Sequence, residues 1–346
     1  MTMRPEKTIT EFIIGEQRRS PGASGGFTAL LNDIRLACKR IAYLVGKGAL
    51  ADVPTDAMRQ VANETFLRTN EWGGHLAAMA SESDPASHPI PDKYPRGRYL
   101  LSFDPLCGGS SLDVNAVAGS LFSVLRLPNE ATGTESDFLQ PGSAQVCSGY
   151  AIYGPTTMLM LALPSGVNGF TLDREIGEFM LTHASLRVPE DSAEFAIDNS
   201  GARLWEPAVK RYVEECLAGA AGPRGRDFTM RWAASLVADV HRILMRGGVF
   251  LCPRVAAEGW REGRHQLLFE ANPLGYLIER AGGRASTGDG PLLDVAPIAL
   301  HQRSPLIFGS RNEVERLEQY HRDHNQRDYD APLFGTRGLF RAPAEL

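Results

Sequence analysis

Tyr99-Leu100-Leu101-Ser102-Phe103-Asp104-Pro105-Leu106-Cys107-Gly108-Gly109-Ser110-Ser111-Leu112-Asp113 begins as an apolar run and ends in an acid, a proline and two glycines. The run predicts a buried strand and the residues after it a sharp turn. An Asp at the mouth of a strand can hold a hard cation through oxygen, and glycines just beyond it let backbone N–H groups approach a phosphate. The same residues also fit a plain strand and turn, with Asp104 fixing the Pro105 turn and the serines capping a helix.

Upstream, residues 10–17 are amphipathic and residues 20–26 form a Gly/Ser/Pro loop. Phe27, Leu30, Leu31, Ile34, Ala37, Cys38, Ile41 and Val45 then recur at helical spacing. A second helix is predicted over 56–70, and Glu82, taken on its own, reads as a solvated loop acid. Downstream, strands are expected within 114–125, 144–153 and 157–163, followed by a turn at 166–169 and a short strand through Leu172. The polar, proline-marked stretch 189–192 is the best boundary, dividing the chain into domains 1–189 and 190–346. Beyond it come a strand at 194–197, a helix at 207–217, a basic glycine loop at 222–226, a helix at 235–245 and a strand at 248–253. A polar hairpin at 261–264 leads to an expected strand at 267–270 that carries Glu270. Asn272 and Pro273 then open a helix closed by Gly282-Gly283, and a last helix spans 311–320. His241, on the polar side of its helix, reads as a satisfied structural histidine.

With 346 residues, 43% of them hydrophobic, the chain can bury one large or two moderate cores, and two are expected. A net charge of −5 and the lack of any Lys/Arg run exclude a nucleic-acid footprint, so an anionic substrate needs a local basic pocket. The five cysteines are widely spaced without a Cys-x-x-Cys pair, which fits reduced thiols in a cytoplasm. No stretch approaches the roughly 20 apolar residues that span a bilayer, so neither export nor membrane insertion is expected.

The segment from Asp104 resembles the Asp-Pro-Leu-Asp-Gly-Ser-Ser signature of class 1 fructose-1,6-bisphosphatases, with Cys107 where the signature has its second aspartate. The likeness runs from about residue 10 to 341 and is densest over 99–113, 140–156, 224–252 and 266–283. It implies a layered α/β sugar-phosphatase fold of two domains with the site in the cleft between them. It also implies hydrolysis of the 1-phosphate of a ketose bisphosphate, fructose 1,6-bisphosphate ahead of sedoheptulose 1,7-bisphosphate, in gluconeogenesis or carbon fixation. Mg²⁺ or Mn²⁺ would be held by Glu82, Asp104, Glu270 and the Leu106 carbonyl, with Glu82 and Asp104 catalytic. Gly108, Gly109 and Ser110 would cradle the phosphate. Asp198, Arg231, Trp232, Cys252 and Arg264 match sugar- and distal-phosphate positions, Arg231 across an interface of a homotetramer. Departures gather at the site: Ser83 and Arg59 stand where the family carries acids, Cys252 and Phe269 lack tyrosine hydroxyls, Asp198 replaces an asparagine, and the loop before the 56–70 helix is short. A catalytically impaired paralogue that binds sugar phosphate or assembles with an active relative is the alternative.

Overall fold

A computed structural model describes residues 7–19, 25–128, 132–256 and 259–329. Most of the expected 20–26 loop and the chain after 329 lie outside the described residues. The elements are α1 (Ile9–Arg19), α2 (Gly25–Lys47), α3 (Thr55–Asn70), β1 (Leu76–Ser81), β2 (His88–Pro89), β3 (Tyr99–Cys107), β4 (Ala118–Arg126), β5 (Cys147–Tyr153), β6 (Thr157–Leu163), β7 (Gly166–Asp173) and β8 (Glu178–Leu186). There follow β9 (Glu194–Ile197), α4 (Pro207–Leu217), β10 (Thr229–Met230), α5 (Leu236–Arg246), β11 (Val249–Cys252), β12 (His265–Gln266), α6 (Asn272–Arg280), β13 (Arg284–Ser286), β14 (Arg303–Ser304), β15 (Leu306–Gly309) and α7 (Arg311–Tyr329).

Strand periodicity explains the layering. In β5 and β6 both faces are apolar: Cys147, Ala151, Tyr153, Leu159, Leu161 and Leu163 turn to one side, Tyr150, Ile152, Met158 and Met160 to the other. The strands belong to an eight-stranded sheet ordered β2-β1-β3-β4-β5-β6-β7-β8, antiparallel except for the β1–β3 pair. Helices α1, α2 and α3 cover its first face. On its second face α5 and α6 share a core with Ala196, Phe250, Leu306 and Phe308 of a smaller sheet ordered β10-β9-β11-β15-β13. The far side of that sheet, Phe195, Ile197, Val249, Leu251 and Ile307, packs on α4 and α7. The result is five alternating layers, helix, sheet, helix, sheet, helix, as the α/β expectation required.

Two local expectations are corrected. Residues 267–270 form no strand: Leu267–Ala271 is a single π-helical turn leading directly into α6. Leu267, Leu268 and Phe269 are all buried, so periodicity cannot separate strand from buried turn, and the Gln266 N–H to Glu270 carboxylate bond (2.7 Å) closes the turn. The turn expected at 166–169 instead lies at 164–165, and Gly166 already pairs with Leu163. The sequence reading also passes over β8, whose outward residues are half-exposed and polar, and over the short strands β13 and β15.

Candidate active site

Three packing contacts assemble the site. Phe66 of α3 stacks on Phe103 of β3, ring centroids 4.7 Å apart, and Arg59, two helical turns earlier on the same face, therefore lies over the C-terminal end of β3. Glu82 follows β1, the parallel neighbour of β3, and its N–H bonds the Phe103 carbonyl (2.9 Å). The small side chains Ala77, Ala78 and Ala80 leave room for Leu268 and Phe269, which seat the π turn on β1 and β3 and bring Glu270 in from the C-terminal half.

Glu82, Asp104 and Glu270 thus converge, although 188 residues separate the first from the last along the chain (270 − 82). Oxygens of Asp104 and Glu270 and the Cys107 sulfur all lie within 4.8 Å of one another. Between Glu82 and Asp104 sits Arg59: Nη1 donates to Glu82 Oε2 (2.5 Å) and Asp104 Oδ1 (3.3 Å), and Nη2 to the Leu106 carbonyl (2.9 Å). The other Glu82 oxygen accepts from Gln266 Nε2 (3.0 Å), which His301 Nδ1 orients through Gln266 Oε1 (2.8 Å). His265 Nδ1 lies 3.1 Å from Glu270 Oε1.

Electrostatics divides these acids. Burial lifts the Asp104 carboxyl to about 7, with Glu270 and Glu82 adding to the rise and Arg59 opposing it. Burial alone would raise Glu270 too, but the adjoining His265 outweighs it and holds the carboxyl below its ordinary value. Burial works against charge on His265 as well, yet Glu270 lifts the imidazole to about 10. Burial pushes the Cys107 thiol well up, so at neutral pH it is a protonated, soft neighbour.

Gly108 adopts φ +76°, where a side chain is strained, and a Cβ there would come within 3.3 Å of Ser235 Oγ and the Val117 carbonyl. It opens the short 3₁₀ turn Gly109–Ser111, whose first N–H groups have no partner inside the turn. Gly108 and Ser110 line a cleft of about 630 Å³ together with Arg59, Glu82, Cys107, Asp198, Trp232, Cys252, Arg264, His265 and Glu270. Gly109 is buried behind them against Leu106. Trp232 stacks on Phe250 to make part of the cleft wall (5.8 Å). Arg264 lies on the Trp260 ring (4.7 Å) and 3.9 Å from Asp198, whose carboxylate is held low mainly by the Ser200 hydroxyl.

Not every sequence candidate arrives. Arg231 is 58% exposed, faces Glu194 at 3.7 Å and does not line this cleft; Ser83 is exposed beside it. His241 is the structural residue expected, bonded to the Tyr150 hydroxyl (2.9 Å) and kept neutral by burial, which lowers it to about 4. His265, Gln266 and His301 were missed. Their signal is faint: His265 precedes Glu270 by five residues, a spacing that matters only once a π turn is known.

The donor set fits a divalent ion in part. Asp104 and Glu270 offer converging hard oxygens, with Cys107 a poor third, whereas Glu82 and the Leu106 carbonyl already receive the Arg59 fork.

Family models of the fructose-1,6-bisphosphatase N-terminal and C-terminal domains match residues 7–184 and 188–322. This chain belongs to the class 1 fructose-1,6-bisphosphatase family. The class 1 fructose-1,6-bisphosphatase of Hydrogenophilus thermoluteolus is 58% identical over 96% of this chain and 97% of its own length. That of Methylibium petroleiphilum is 52% identical over 97% and 98%. Crystal structures of Leishmania major fructose-1,6-bisphosphatase in holo and apo form superpose with a TM-score of 0.84 each. They are 32% and 33% identical, cover 91% and 92% of this chain, and are themselves covered to 99%. The sugar-phosphatase layering is thereby shared with this fructose-1,6-bisphosphatase family. Among the described residues no helix is long and apolar enough to cross a membrane.

Proposed function

We propose that the chain hydrolyses the 1-phosphate of fructose 1,6-bisphosphate to give fructose 6-phosphate and inorganic phosphate. One observation carries the reading: Glu82 and Glu270 line the cleft that also holds the Gly108–Ser110 turn and Arg264, with buried Asp104 close behind them, joined to Glu82 through Arg59. The turn amides bind the oxygens of the reacting phosphate, and Arg264 receives the distal one. A water attacks phosphorus opposite the sugar oxygen, the bond between phosphorus and the C1 oxygen breaks, and the departing sugar oxygen takes a proton from solvent while the attacking water gives one up. Asp104, titrating near neutrality, is suited to accept the proton of that water. Arg59 offsets the negative charge gathered around the phosphate.

Asp104 and Glu270 would hold the divalent ion, and Cys107 favours Mn²⁺ over the harder Mg²⁺. When bound, such an ion polarises the phosphoryl group and acidifies water. A homotetramer goes with this reading, since Arg231 is largely exposed and lines no part of its own cleft, so it can face a neighbouring subunit; sedimentation of the purified chain tests it. The domain division near residue 190 is likewise retained.

The test is phosphate release from fructose 1,6-bisphosphate with Mg²⁺ or Mn²⁺, against a Glu270→Gln control. Activity no greater than the control rejects the reading. A second reading, an impaired paralogue that binds sugar phosphate, is favoured by the Arg59 contacts in the acid cluster. Binding of fructose 6-phosphate without turnover would select it.

A further inference from the structure

The arrangement around Arg59 carries a conclusion about how many ions this cleft can hold. Its guanidinium lies 2.5 to 3.3 Å from three oxygens of different origin: a carboxylate from the end of β1, a carboxylate from within β3 and the backbone carbonyl of Leu106. No single acid needs such a partner, and an ordinary ion pair would satisfy one carboxylate. Three converging oxygens are instead the donor pattern of a hard-cation site. We propose that the Arg59 guanidinium is a built-in cation occupying one divalent-ion position, so that this chain binds one ion fewer than its oxygen donors would otherwise accept.

This inference rests on reading the acids as an ion and phosphate site. Helix α3 fixes Arg59 in place. Its flanking residue Met58 is buried, Phe66 locks the helix to β3, and the arginine is delivered to the oxygens from the helix side, leaving Cys107 and Glu270 on the cleft wall with the buried Asp104 behind them. A guanidinium supplies one charge in a fixed plane and never exchanges with solvent, but it has no coordination sphere in which to activate water. It therefore holds the acids together without contributing Lewis acidity, and leaves that chemistry to the remaining position.

Titration with Mn²⁺ alone, without substrate, tests this, with free Mn²⁺ read by electron paramagnetic resonance. Arg59→Asp and the milder Arg59→Gln should each bind one Mn²⁺ more per chain than the parent, with circular dichroism confirming that both fold. An unchanged number of bound ions in folded variants overturns the proposal. Because the readout is stoichiometry, an inactive phosphatase would leave this result standing, and an active one would not rescue it.

Discussion

Two clusters of charge sit in this molecule, and they are built on opposite plans. Around Glu313, one buried acid receives Arg224 Nη2 (2.7 Å), Arg226 Nη2 (2.6 Å) and the Tyr212 hydroxyl (2.7 Å). Arg224 is itself 4% exposed. This is the basic glycine loop of the sequence, and its charges are consumed by structure: they fasten the segment after α4 to α7. In the cleft the proportion reverses, with Glu82, Asp104 and Glu270 facing Arg59 and His265 and one side open. Where a buried acid is saturated with donors, charge serves the fold. An excess of acid at an open wall is the arrangement the proposed cation site would need.

The sharpest way to break this contrast is to neutralise one acid in each cluster. Asp104→Asn keeps the shape of the side chain and an oxygen for the Leu106 N–H, yet removes the proton acceptor. Turnover of fructose 1,6-bisphosphate should fall about 10²–10⁴-fold with little loss of folded structure, measured by steady-state phosphate release and near-ultraviolet circular dichroism. Glu313→Ala should do the reverse. It strands Arg224 without its partner, costs about 3–5 kcal/mol of stability in denaturant titration, and leaves the Mn²⁺ affinity of the folded chain unchanged. A variant of Glu313 that kept its stability but lost metal binding would abolish the distinction.

A third substitution sharpens the cleft's own division of labour. Arg264 is half-exposed and faces Asp198 rather than Glu82, Asp104 or Glu270, so Arg264→Gln should raise KM by about 10-fold, the worth of one charged hydrogen bond, while kcat changes less. Equal losses in kcat and kcat/KM would move Arg264 from binding the distal phosphate to the reaction itself.

How far such roles could be read from the sequence depends on the range of the interaction. The β3 run, the Gly108 turn and the regular helices are local: apolar spacing and a glycine forced to positive φ announce them. Asp104 was legible from the apolar run and turn that frame it, whereas Glu82 read on its own as a loop acid and Glu270 as the end of a strand that is in fact a π turn, so resemblance supplied the grouping. The relation of Arg59 to those acids was only half legible. Its position suggested positive charge near ions, but that one guanidinium spans Glu82, Asp104 and the Leu106 carbonyl depends on Phe66 stacking on Phe103, a contact between segments 37 residues apart (103 − 66). His265 and Gln266 were hidden for the same reason, since a π turn leaves no periodic mark in five residues.

The remaining expected effect is on pH. In the folded chain Asp104 keeps its proton up to about 7, against 3.8 for its ordinary value, so the native state binds more protons than the unfolded one between those limits. Stability therefore declines as pH rises through that window, and Asp104→Asn should flatten the decline there. His265 acts in a later window: its folded value of about 10 lies above the ordinary 6.5, so what its pairing with Glu270 contributes is complete below 6.5 and lost as pH climbs through about 10. Melting temperatures of parent and Asp104→Asn, taken in chelator from pH 4 to 10, should converge or cross between pH 4 and 7 and run parallel above it. Curves parallel throughout would mean that Asp104 ionises in the cleft as it does in water, and that burial in this cluster places no strain on the acid for a cation to relieve.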